Sequence, residues 1–350
     1  MQHDPAHETA ICASVRQFGP VPVVHFGRSG NKSLPGKWAA HNRCTMTLLY
    51  THPSGFRHVT PPSHPEQVSR LDAVIGALQD MDLDRREAPD AEDEDILRCH
   101  PASYLATIRR KVPTDGWAML DADTYLSAGS LTAARHAVGG VCAAVDAVLT
   151  GEGPNAFVAM RPPGHHAERS RAMGFCILNS IAIGAQRALD HHGLDRLAVL
   201  DFDVHHGNGT QDLLWSEPRA FFASTHQFPL YPGTGAASER GAYGQIANFP
   251  LHSGTDGGPA RAIWREICDR VAEWRPQLVL VSAGFDAHAD DPLASLVWND
   301  DDFRAISRMI CDSATACSAP VVSVLEGGYD LAALGRTTRA HVEVLRETSL

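Results

Sequence analysis

Histidine is the residue type that stands out in this 350-residue chain: there are 19, and three adjacent pairs occur, His165-His166, His191-His192 and His205-His206. Imidazole exchanges protons near neutral pH, so a pair held beside a cation can serve as an acid and a base. One pair lies within Asp201-Phe202-Asp203-Val204-His205-His206. On an extended segment alternate residues share a face, so Asp201, Asp203 and His205 can point the same way. A carboxylate and an imidazole two residues apart can chelate one cation, and Asp286, from another segment, can close the site. Two carboxylate oxygens and one imidazole nitrogen suit a borderline cation such as zinc, with a position left for water. The same spacing fits a polar loop whose hydrogen bonds are satisfied internally. His165-His166 follows Pro162-Pro163-Gly164, a turn able to aim both rings. Tyr329 follows Gly327-Gly328 and offers a phenol to a developing oxyanion. His191-His192 closes an amphipathic segment and is expected on the surface.

These residues need elements to bring them together. Apolar runs at Met46–Tyr50, Ala156–Met160, Leu197–Leu200, Ala220–Ser224, Gln277–Ser282 and Pro320–Leu325 predict strands. Amphipathic segments at Ser127–Leu149, Asn179–His192, Pro259–Trp274, Asp300–Cys317 and Leu331–Leu345 predict helices. The alternation implies an α/β fold with a mainly parallel central sheet flanked by helices. Most polar clusters follow the end of a predicted strand. In a parallel sheet those ends share one edge, where open α/β folds bind ligands. Residues 1–45 lack a sustained period and read as an N-terminal arm or extension, with one domain over 46–350. The acidic run from Asp84 to Asp95 reads as a solvated loop.

Composition limits the function classes. With 30 Lys+Arg against 41 Asp+Glu the net charge is −11, which argues against a general nucleic-acid binder. No apolar run reaches the roughly 18–20 residues of a membrane helix, and no secretory pattern opens the chain. The 8 cysteines form no Cys-x-x-Cys pair, and Cys142, Cys176 and Cys268 lie in apolar runs, as small core residues do. These features predict a reduced, cytoplasmic protein without a direct nucleic-acid or membrane partner, and a homo-oligomer is compatible with them.

Six motifs carry a family resemblance: Arg161-Pro162-Pro163-Gly164-His165-His166, Gly174-Phe175-Cys176-Ile177-Leu178-Asn179, the Asp201–Gln211 segment, Tyr231-Pro232-Gly233-Thr234-Gly235, Ala283-Gly284-Phe285-Asp286 and Glu326-Gly327-Gly328-Tyr329. In this order they resemble the zinc-dependent histone deacetylase family, including bacterial deacetylase-like amidohydrolases and acetylpolyamine amidohydrolases. The resemblance implies an arginase–deacetylase fold and metal-assisted amide hydrolysis. It makes Asp203, His205 and Asp286 the ligands of one zinc ion and His166 the general base and acid. His165 becomes the electrostatic partner, oriented by Asp201, and Tyr329 the transition-state donor. Asn208 would orient His166. Class I members carry aspartate there, whereas asparagine is closer to the class II and bacterial pattern.

The resemblance also assigns a channel for an acyl-lysine stem to Gly174, Phe175 and Tyr231, where many relatives have phenylalanine at the last position. Leu293 falls where the eukaryotic polyamine-selective member has glutamate, which leans toward acyl-lysine. Asp123, or less readily Asp121, would be a carboxylate at the rim. A structural potassium site would use the backbone carbonyls of Asp201, Asp203, His205 and Thr225 with the Ser224 side chain. The expected substrate is therefore an acyl-lysine protein or peptide, with an acetylated polyamine or similar small amide as the alternative. A silent acyl-lysine reader would call for a missing ligand or tyrosine, and none is missing. An arginase-like hydrolase would call for a carboxylate-rich two-metal site.

Overall fold

The computed structural model describes residues 46–348; the arm expected over residues 1–45 lies outside the described residues. The chain runs β1 (Leu48–Thr51), a 3-10 turn (Pro53–Arg57), α1 (Ser69–Leu78), β2 (Asp84–Glu87), α2 (Asp93–Leu97), α3 (Ala102–Lys111), β3 (Ala118–Met119), β4 (Tyr125–Leu126) and α4 (Ser130–Thr150). It continues with β5 (Asn155–Val158), α5 (Ser180–Asp190), β6 (Leu197–Asp201), α6 (Asn208–Leu214), β7 (Ala220–Gln227) and β8 (Ile246–Leu251). It closes with α7 (Gly257–Trp274), β9 (Val279–Ala283), α8 (Asp300–Ala316), β10 (Val321–Leu325) and α9 (Leu331–Glu347).

Eight strands form one sheet in the order β2-β1-β5-β10-β9-β6-β7-β8, and every pair in it is parallel. Its central strands are buried on both faces, so they read as unbroken apolar runs such as Val321–Leu325. One face packs on α1, α7, α8 and α9 through residues such as Leu71, Trp264, Phe303 and Val342. The other packs on α4 and α5 through Val141, Val145, Ile181 and Ala185. A third cluster, with Ile96, Leu105, Ile108 and Leu178, covers the outer side of α4 and α5.

Both edges of the sheet depart from the expected pattern. The acidic run is not a uniform solvated loop: Asp84–Glu87 is edge strand β2, and Asp93–Leu97 is a short helix in which Asp95 is buried and paired with Arg98 and Arg187. Charged side chains on an edge strand discourage pairing with another chain, and they conceal the strand from an apolar search. At the opposite edge β8 carries an exposed Pro250, a residue tolerated only where a ladder bond is not needed. His192 is half-buried against Asp146, with Nε2 2.7 Å from its carboxylate, while His191 is exposed. Cys142 and Cys176 are core residues, whereas Cys268 is only partly buried.

Candidate active site

Five neighbouring strands, β5, β10, β9, β6 and β7, deliver their C-terminal ends to one edge. Strand β6 stops at Asp201, so Asp203 and His205 stand on the turn after it rather than on an extended segment. Backbone N–H groups fix that turn. Asp203 donates to Asp201 Oδ1 at 3.1 Å, His205 to Asp203 Oδ1 at 2.9 Å, and Val204 to Asp286 Oδ1 at 2.9 Å. Gly327 donates to Asp203 Oδ2 at 2.8 Å, which ties β10 to the same group. His205 Nδ1 then lies 3.1 Å from Asp203 Oδ1 and 3.1 Å from Asp286 Oδ2.

One ligand atom from each of these three buried residues falls within 4.8 Å of the others. A Cβ on Gly284 would strike Asp203, and one on Gly327 would strike both Asp203 and Asp286. The cradle therefore has room for the two carboxylates only because both positions are glycine. Its donor set of two oxygens and one nitrogen fits a zinc-like cation.

The two histidines differ in their partners. His165 Nδ1 is 3.0 Å from Asp201 Oδ2, and its Nε2 is 3.7 Å from Asp203 Oδ2. Burial alone would lower the His165 pKa, but the carboxylates of Asp203 and Asp201 push it up to about 10. His166 Nδ1 is 2.7 Å from Asn208 Oδ1. The Asn208 amide nitrogen donates to Glu168 Oε1 at 2.8 Å, so its oxygen faces the ring and accepts the Nδ1 proton. Nε2 of His166 is left as the basic nitrogen. Burial holds the His166 pKa well below its usual value, and the rings of His165 and His205 push the same way. Gly174, at φ +54°, lies against this ring, and a Cβ there would collide with it.

Around this centre lie the residues expected to line a channel. The Tyr231 ring is 5.3 Å from the His166 ring and 38% exposed. Phe175 faces Tyr329 at 5.8 Å and His64 at 4.7 Å. The Tyr329 ring also carries the Arg70 guanidinium 4.8 Å from its centroid. Burial pushes the Tyr329 phenol well above its usual range, against the pull of Arg70, so it stays a hydrogen-bond donor. Leu293 is half-buried and donates its N–H to Asp291 Oδ1 at 3.0 Å. Asp123 accepts the Thr124 hydroxyl at 3.0 Å, and Thr124 in turn accepts the Phe175 N–H at 3.0 Å, which links Asp123 to Phe175. Asp121 is committed to Arg171 at 3.0 Å.

Ser224 Oγ is 3.0 Å from His226 Nδ1, and His226 Nε2 is 3.0 Å from the Gly235 carbonyl. The Nε2 proton therefore goes to Gly235 and the Ser224 hydroxyl donates to Nδ1, which keeps the serine lone pairs free. The Thr225 hydroxyl is buried without a hydrogen-bond partner among the described residues.

Residues 64–345 match the family described as the histone deacetylase domain. This chain belongs to the histone deacetylase family. A histone deacetylase-like amidohydrolase of Pseudomonas aeruginosa is 40% identical over 284 residues, covering 79% of this chain and 74% of that one. A probable deacetylase of Archaeoglobus fulgidus is 36% identical over 297 residues, covering 82% of each chain. The crystal structure of the HDA15 HD domain superposes with a TM-score of 0.82 at 28% identity, covering 87% of this chain and 89% of that one. The parallel eight-stranded sheet flanked by helices is thus the arginase–deacetylase fold.

Several residues that support this deacetylase-family site carry no motif of their own. Glu66, fully buried, is bonded by Arg161 and Arg70 and lies 3.2 Å from His58 Nε2. Arg70 also donates to the carbonyls of Glu326 and Gly328, beneath Tyr329. Asp291 Oδ2 accepts the N–H groups of Tyr329 at 2.7 Å and Asp330 at 3.3 Å. A sequence signal existed for part of this set: Glu66 and Arg70 stand four apart at a helix start, and Arg161 directly follows an apolar strand. Nothing in the sequence joined the whole set, because Arg161 stands 95 positions from Glu66 and the other partners of Arg70 are backbone carbonyls.

Proposed function

We propose that this protein is a zinc-dependent deacylase that hydrolyses the amide of acyl-lysine in proteins or peptides. The observation that carries the reading is convergence: the Asp203–His205–Asp286 cradle, the His165-His166 pair and the Tyr329 loop meet at the ends of adjacent strands. Bound by that cradle, zinc supplies Lewis acidity to the acyl carbonyl and makes water nucleophilic near neutral pH.

The chain's own groups do the rest. Nε2 of His166 takes the proton of the attacking water, because Nδ1 is already committed to Asn208. His165, paired with Asp201, supplies positive charge beside it. The Tyr329 hydroxyl donates to the oxyanion of the tetrahedral intermediate. His166 then returns the proton to the leaving amine. Phe175 and Tyr231 flank the path of a lysine stem, and Gly174 leaves room for the His166 ring between them. Asp123, free of the ion pair that occupies Asp121, is the carboxylate placed to meet the substrate backbone.

Leu293 places no charge that would hold a second cationic nitrogen, which supports acyl-lysine over a polyamine. The net charge of −11 favours the alternative, an acetylpolyamine or related small amide. A structural potassium ion on Ser224 and the carbonyls of Asp201, Asp203, His205 and Thr225 fits the free lone pairs of Ser224. The six described cysteines are free, in keeping with a cytoplasmic setting. Among the described residues no helix is long and apolar enough to cross a membrane. Residues 46–350 form the proposed catalytic unit.

The test is turnover of an acetyl-lysine peptide by the zinc-loaded protein, before and after removing the metal with a chelator. Activity should disappear on chelation and return with zinc. Turnover that persists without any metal would sink the reading.

A further inference from the structure

Glu326 is fully buried at the end of β10, three residues before Tyr329, and the chemistry above gives it no part. Its Oε2 accepts the N–H of Gly164 at 2.7 Å and of His165 at 3.1 Å. Its Oε1 accepts no hydrogen bond from the described residues. Its own backbone is pinned on both sides: the N–H donates to the Ala283 carbonyl at 3.0 Å, and its carbonyl accepts Arg70. One oxygen of one side chain thus spans from the strand that leads into the phenol to the loop that carries both histidines. A buried acid would more simply be replaced by an apolar residue unless its acceptor were used. Burial pushes this carboxyl up to about 7, against the pull of His165, and Oε2 remains an acceptor in either protonation state.

We propose that Glu326 is a positioning residue that fixes the backbone of the Gly164-His165-His166 loop and so sets the base at its working distance from the Tyr329 loop. The proposal rests on the deacylase reading for its kinetic consequence, though not for its structural one. Its content is reach and acceptance rather than charge, and two substitutions separate these. Glu326→Gln keeps a carbonyl oxygen at the same reach. Glu326→Asp keeps the charge but withdraws the oxygen by about 1.5 Å, beyond hydrogen-bond distance of Gly164. A displacement of about 1 Å at a reacting group can cost about 100-fold in rate.

The experiment measures kcat and KM of the zinc-loaded wild type and both variants on an acetyl-lysine peptide, with zinc content, thermal unfolding and amide hydrogen exchange of the segment 161–167. The expected result for Glu326→Asp is a kcat about 100-fold lower, KM within about twofold, full zinc content and faster exchange in that segment. Glu326→Gln should stay within about fivefold of wild-type kcat and keep its protection. An aspartate variant with near wild-type kcat overturns the proposal, and so does a glutamine variant as impaired as the aspartate one. An aspartate variant that loses zinc or its cooperative transition also overturns it, since the side chain would then hold the fold rather than the base. If the wild type itself shows no turnover, the deacylase reading fails, and the exchange data alone decide whether the clamp exists.

Discussion

Replacing Tyr329 by phenylalanine removes one hydroxyl and leaves the ring beside Phe175 and Arg70. An oxyanion donor of this kind is worth about 10²–10³ in rate. Tyr329→Phe should therefore lose about that factor in kcat while zinc content and melting temperature stay unchanged; near wild-type kcat would remove Tyr329 from the chemistry. Gly174→Ala tests the opposite side of the base. The new Cβ would meet the His166 ring, at a backbone φ of +54° that alanine resists. It should lower kcat/KM at least tenfold, a loss of about 1.4 kcal/mol in transition-state binding. That Asp203, His205, Asp286 and the His165-His166 pair gather in one place was legible because each follows an apolar strand of a parallel sheet, whereas their roles were implied only by the family resemblance. Asp291 and Thr124 were not legible, because they act on backbone N–H groups of Tyr329 and Phe175 that no residue pattern reports.

At the scale of elements, the buried Glu66 cluster joins α1 to the loop after β5 and to the end of β10. Burial opposes ionisation of Glu66, but Arg161 and His58 outweigh it and hold its pKa well below the usual 4.5. A depressed carboxyl pKa adds stability that is fully present above the unfolded value and is lost as pH falls below it. Glu66→Gln should therefore destabilise the protein at pH 7, by about 3–5 kcal/mol because the arginines lose a buried partner. The difference from wild type should shrink as pH drops below about 4.5. Urea unfolding of both proteins at pH 7 and pH 4 reads this, and a constant difference would contradict it. The central strands were legible because both of their faces are buried. The edge strands β2 and β8 were not, since one is written in charges and the other contains Pro250.

For the whole molecule, the parallel sheet brings five separate stretches of sequence to one edge, and that convergence was readable from the alternation of strands and helices and from the polar clusters that follow the strands. What the sequence could not supply was distance, such as the gap of 95 positions between Arg161 and Glu66 that the fold closes to contact. Metal removal should be felt globally as well as locally. A ligand present at about 100 times its dissociation constant stabilises the folded state by about 2.7 kcal/mol, so chelation should lower the melting temperature by about 5 °C. An unchanged melting temperature would mean that the cradle holds no metal. One comparison tests the substrate class most directly: kcat/KM of the zinc-loaded protein on an acetyl-lysine peptide and on an acetylated polyamine, measured side by side. A peptide preference of about tenfold or more, equivalent to about 1.4 kcal/mol, is the expected result. A preference of that size for the polyamine would contradict the acyl-lysine reading and place recognition of a second cationic nitrogen outside Leu293.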